Sequence, residues 1–169
     1  MTDLLSPQVT DDPARLARMM GPRRRPVVAV VSFTDADLCA ARQAACLARQ
    51  LDVRLTVAVL RPTTVWLGAA GPLTLPTFAD DYDLQLTTAL VRALDPIGIP
   101  WRLVVLDSFV HSTRLIRELD AGMVIVGAPY GWGNPVGRIR QLWRANRLSR
   151  RSSIPVGVWS ARRGLSSRG

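Results

Sequence analysis

The chain predicts an α/β protein built on a parallel sheet with helices on both faces, and three observations carry that expectation. Short, continuous apolar runs such as Val27–Val31 have the character of strands buried on both sides. These runs alternate with segments of helical periodicity, and parallel strands need such crossovers. The 169 residues, 48% hydrophobic and 21% charged, suffice for about one domain with a sizeable core. That composition excludes a disordered tail, a collagen-like repeat and a disulfide-stapled miniprotein.

Taken in order, Asp12 followed by Pro13 starts a short helix, Leu16, Met19 and Met20 give it an apolar stripe, and Gly21 stops it. Residues 1–25 read as an appendage, in which Arg23, Arg24 and Arg25 form either a solvated linker or a phosphate-seeking arm. The first strand is expected at residues 27–31. A helix follows at 35–51, with Leu38, Ala41, Ala45 and Ala48 turned inward. The second strand is expected at 53–60. After a long connection, Asp80, Asp81 and Asp83 suit the first turn of a helix, where the macrodipole favours negative charge. Leu86, Ala89, Leu90 and Ala93 form its inner stripe. A third strand at 101–106, a short helix at 112–119 and a fourth strand at 123–126 complete the repeat. A last helix at 136–150 and a fifth strand at 154–159 follow, and residues 161–169 read as a basic tail. Pro155 marks the fifth strand as an edge, because proline cannot sit in a central strand. A bare apolar edge in turn predicts a homodimer through that strand.

Charge is distributed unevenly. All 22 basic residues are arginine, as a GC-rich coding sequence favours, and the formal net charge is +9. Residues 1–120 hold 13 arginines and 13 acidic residues, so the whole excess lies in the last 49 residues, which contain no acid. On the last helix, Val136, Ile139, Leu142 and Trp143 share one arc and are expected to pack on the sheet. Arg140, Arg144, Arg147 and Arg151 share a neighbouring arc, which reads either as a solvated face or as the binding surface for a nucleotide phosphate or an acidic protein partner. Nucleic acid is disfavoured, since no recognised motif or stacking platform accompanies the stripe. The connection at 61–79 is long and apolar, with Trp66 and Leu67 near its start. It is expected to pack on the sheet, to cap a ligand crevice or to dock a partner.

Chemistry-bearing groups are few. Cys39 and Cys46 lie seven residues apart on a predicted helix, about 10 Å along its axis, too far for a disulfide, and read as small buried thiols. A single histidine, His111, leaves no zinc constellation. No G-x-S-x-G elbow, paired carboxylates or cysteine–base pair is present, so the chain is expected not to be an enzyme beyond slow nucleotide hydrolysis at most. No apolar run approaches the roughly 20 residues of a membrane span, which predicts a soluble, cytoplasmic protein.

One motif stands out. The fourth strand runs into Gly127, Gly131 and Gly133 and then into a helix, an arrangement that serves either as a plain turn or as an anion cradle at a helix N-terminus. The stretch GMVIVGAPYGWG, the basic helix and SSIPVGVWS resemble the C-terminal half of universal stress protein domains. VVAVVSFTDADLCAARQAACLARQLDVRLTVAVL is similar to that family's first strand, helix and second strand. The resemblance spans residues 26–160 and implies an adenine nucleotide alpha hydrolase-like sheet of strand order 3-2-1-4-5. It also implies a crevice between strands one and four, lined by Val31, Ser32, Phe33, Gly127, Gly131, Gly133 and Arg138. ATP-binding members carry an aspartate where Val31 stands, and their G-x2-G-x9-G-[ST] signature is not matched here. Gly127 and Gly131 are separated by three residues, and Leu142 and Trp143 stand near the place of the later glycine. The resemblance therefore implies a regulatory or stress-response module with an altered crevice, suited to an adenine nucleotide or another anionic ligand. An adaptor that uses its arginine helix and apolar connection, and a functional ATP or AMP binder, are the alternatives.

Overall fold

Apolar strands and amphipathic helices assemble as expected, with one strand more in the main sheet than the sequence suggests and a separate two-stranded pair. The computed structural model describes residues 8–21, 24–31, 35–60, 65–66, 72–73, 79–128 and 135–160. In chain order the elements are β1 (Val9–Thr10), α1 (Pro13–Met20), β2 (Val27–Val31), α2 (Asp35–Gln50) and β3 (Leu55–Leu60). Then come β4 (Val65–Trp66), β5 (Pro72–Leu73), α3 (Ala79–Leu94), β6 (Trp101–Leu106) and α4 (Phe109–Glu118). β7 (Met123–Ala128), α5 (Pro135–Ser152) and β8 (Val156–Ser160) complete the chain. Six strands form one sheet in the order β1-β8-β7-β2-β3-β6, and every pairing in it is parallel. The five expected strands keep the order 3-2-1-4-5 within it. Inside the long connection, β4 and β5 form a two-stranded antiparallel pair.

The sixth strand corrects the expectation of a bare edge on strand five. β1 pairs with the first half of β8, Val9 opposite Val156 and Thr10 opposite Gly157, and the Val156 amide donates to the Gln8 carbonyl at 2.9 Å. The N-terminal segment is thus part of the sheet and covers that edge there. Asp12 caps α1 by accepting from the Ala14 amide at 2.9 Å, and Thr10 Oγ1 accepts from the Asp12 amide at 3.1 Å. α1 then lies across β8. A Cβ on Gly157 would meet Leu16 Cδ2 at 2.7 Å, and one on Gly122 would meet Arg25 Cβ at 2.8 Å and Met20 at 2.9 Å. Glycine at these two sites is what lets α1 and its exit lie so close to the sheet.

Helices cover both faces. On one, Leu16 of α1, Ala40, Ala44 and Leu47 of α2, and Leu86, Leu90 and Leu94 of α3 pack with Val27, Ala29, Val57 and Ile125. The alanines of α2 bring its backbone close to the strands, so this helix spans β2, β7 and β8. On the other face, Ile116 of α4 and Ala145 and Leu148 of α5 pack with Val28, Val30, Val124 and Val126.

α5 departs from its expected orientation. Ala145, Leu148 and Ser149 are buried and Leu142 is half-buried, whereas Ile139 and Trp143 are each 58% exposed. Small residues at 145 and 149 allow close approach to β7 and β8, and the helix turns its bulkier Ile139 and Trp143 outward. The thiols differ from expectation too: both are free, but Cys39 is half-buried and Cys46 is exposed. No helix among the described residues is long and apolar enough to cross a membrane.

Candidate functional site

The strand order places a topological switch point between β2 and β7. From β2 the chain proceeds outward through β3 and β6, and the second half proceeds the other way through β7 and β8. Ligand crevices in such sheets open beyond the carboxyl ends of the strands at this point. β2 and β7 are in register, with Val30 opposite Val126. Beyond that pair lie Val31, whose other neighbour is Val59, and Gly127, which pairs with Trp159. Val31 and Gly127 thus form the described floor of the crevice.

Two helices begin just past that floor. α2 starts at Asp35, three residues after β2 ends, and α5 starts at Pro135, after a six-residue connection from β7. Proline suits the first turn, where no intrahelical partner exists for its missing N–H. A helix N-terminus in general presents amides without an intrahelical partner and a partial positive charge, which favours an anion. Val31 on that floor is 1% exposed among apolar neighbours and brings no carboxylate, whereas α2 itself opens on Asp35 and Asp37.

Other site candidates fall elsewhere or outside the described residues. Ser32, Phe33, Gly131, Gly133 and Leu67 lie outside them. Arg138 and Arg140 are in α5 and Trp66 is in β4, with their side chains outside the description. Leu142 and Trp143 sit within α5, which runs unbroken from Pro135 to Ser152. The backbone N–H groups at these two positions are therefore engaged in the helix and offer nothing to a phosphate. The Trp143 ring is stacked under Arg147, whose guanidinium carbon is 5.2 Å from its centroid. Arg144 similarly covers Phe109 of α4 at 5.4 Å. Arg151 is exposed, and its carbonyl accepts from Arg117 at 2.9 Å, tying α5 to α4. The structure thus places Val31 and Gly127 at the ends of adjacent strands, turns Arg144 toward α4 and sets Arg147 over Trp143.

His111 is exposed on α4, and no group of three or more His, Cys, Asp or Glu that could hold a metal occurs among the described residues. Sequence reasoning missed a cavity of about 560 Å³ at the opposite, amino ends of β3 and β6, lined by Arg24, Arg54, Arg102 and Thr56. Its only signal was the strand alternation that puts Arg54 and Thr56 on one face.

No protein-family model matches the chain, and no curated protein matches it in sequence. Solved structures do. The universal stress protein UspA from Lactobacillus plantarum superposes with a TM-score of 0.57 at 11% identity, over 82% of this chain and 99% of that one. A universal stress protein in complex with cAMP gives 0.53 at 24% identity, over 80% and 95%. The universal stress protein from Archaeoglobus fulgidus in complex with dAMP gives 0.51 at 19% identity, over 81% and 98%. The fold is that of the universal stress proteins. Nearly the whole of each of these three chains is covered by the match.

Proposed function

We propose that this chain is a non-enzymatic regulatory module of the universal stress protein type, whose crevice takes an adenine mononucleotide or similar small anion in preference to ATP. The observation that carries this reading is the start of α2 and α5 beside the carboxyl ends of adjacent strands β2 and β7. Universal stress proteins of this fold have been solved with cAMP and dAMP, which supports the ligand class. Discrimination against ATP rests on the unbroken helix through Leu142 and Trp143, which supplies no second backbone cradle for the outer phosphates. Val31 supplies no carboxylate for the base, which weakens AMP and ATP alike. Titration calorimetry is expected to show AMP binding at least about tenfold more tightly than ATP, a difference of about 1.4 kcal/mol. ATP binding more tightly than AMP would overturn the reading.

A homodimer along β8 would have to use Val158–Ser160, the stretch of strand beyond its described pairing with β1. Sedimentation of the full chain reads its presence directly.

A second reading, an adaptor for an acidic protein partner, is favoured by the outer face of α5. There Ile139 and Trp143 are exposed beside Arg147, on a segment with no acidic residue after Asp120. For an adaptor, the double variant Arg144→Glu with Arg147→Glu is expected to lose a partner captured by the wild type while keeping its AMP affinity. Capture unchanged in that variant removes the adaptor.

A further inference from the structure

We propose a second ligand site, for a phosphate monoester with an apolar body, at the amino ends of β3 and β6. It goes beyond the crevice reading and lies at the far end of the same strands. The six residues of β3 separate the two sites by about 20 Å.

Strand alternation assigns the residues of β3 to two faces. Leu55 and Val57 pack into the core on the α2 side, so Arg54 and Thr56 project from the opposite face. Arg102 is the register partner of Thr56 on β6 and projects from that face too. Two arginines on adjacent strands repel one another unless an anion lies between them.

The geometry is suited to such an anion. Thr56 is only 2% exposed, and its hydroxyl oxygen accepts from Arg102 Nε at 3.1 Å. That bond anchors the guanidinium by its inner nitrogen, and no hydrogen bond or ion pair among the described residues engages its terminal nitrogens, the pair that bidentate phosphate recognition uses. Arg24 completes the rim, already ion-paired with Asp52, the only acidic group among the described residues that line the cavity. Three guanidinium groups against one carboxylate leave an excess of two positive charges, which a phosphate monoester at neutral pH neutralises. Leu119 and Trp101 add apolar wall, and the cavity of about 560 Å³ falls in the size range of small-molecule sites. Apolar walls with convergent cationic groups fit an ester with a hydrocarbon or aromatic body better than bare phosphate.

Titration of the full chain with phenyl phosphate tests this, with inorganic phosphate in parallel. Saturable one-to-one binding is expected, tighter for phenyl phosphate than for inorganic phosphate. It should fall at least about tenfold in the double variant Arg54→Gln with Arg102→Gln. Both residues are exposed, so that variant should stay folded, as its circular dichroism spectrum checks, and keep its AMP affinity. Absence of saturable binding, equal affinity for the two probes, or undiminished binding by the double variant would each overturn the proposal. Loss of AMP binding alone would count against the crevice reading and leave this site standing.

Discussion

Replacing Leu16 by alanine is expected to lower the unfolding free energy by about 2–5 kcal/mol, as large-to-small changes at buried leucines do. Leu16 is 2% exposed and is the residue by which α1 enters the core, seated against Gly157 of β8. The void cannot close easily, because α1 is tethered on both sides. β1 is hydrogen-bonded to β8 ahead of it, and Met20 is packed by Gly122 at its end. Denaturant melts monitored by circular dichroism measure the effect. A change within about 0.5 kcal/mol, the usual range of a surface substitution, would show that the N-terminal segment is loosely attached.

The second large effect concerns the floor of the crevice. Val31→Asp places a carboxylate where ATP-binding universal stress proteins are expected to have one, yet position 31 here is 1% exposed within the apolar core. A carboxylate there, without a partner, is expected to cost at least about 3 kcal/mol at neutral pH. Burial raises a carboxyl's pKa, so the folded state would bind the proton more tightly than the unfolded state. The penalty should therefore be largest at neutral pH and shrink as the pH falls and the group is protonated in both states. Melts of wild type and variant across that range read the sign. A variant as stable as the wild type at neutral pH would mean that position 31 opens onto solvent, and tighter ATP binding in it would mean that a single residue disabled the site.

Much of the fold was legible because its signals are local. Val27–Val31, the alanine-rich α2 and the stripe of Leu86 and Leu90 each declare their element by periodicity and composition alone. What escaped was set by partners distant in sequence. β1 has only two residues, too few to show alternation, and exists because β8 offers an edge. On α5 hydrophobicity pointed to Ile139 and Trp143, but packing density chose Ala145 and Ser149 for the close approach. Trp143 instead supports Arg147 on the outer surface, a use that an arc of apolar residues does not reveal.

The same contrast holds for the candidate site. The family resemblance implied the strand order, and the observed order puts the switch point between β2 and β7, where the proposed crevice lies. Which side chains complete it depends on residues 32–34 and 129–134, outside the described chain. For the cavity at the other end, alternation showed only that Arg54 and Thr56 share a face. Arg24, Arg54 and Arg102 are scattered along the sequence and converge only through the pairing of β3 with β6 and the entry into β2.

A crystal of the full chain grown with AMP tests the central claim most directly. The phosphate should lie beyond Gly127, between the first turns of α2 and α5, with the base over the end of β2 near Val31. AMP seated only at the amino ends of the strands, or a crevice left empty at saturating nucleotide, would contradict it.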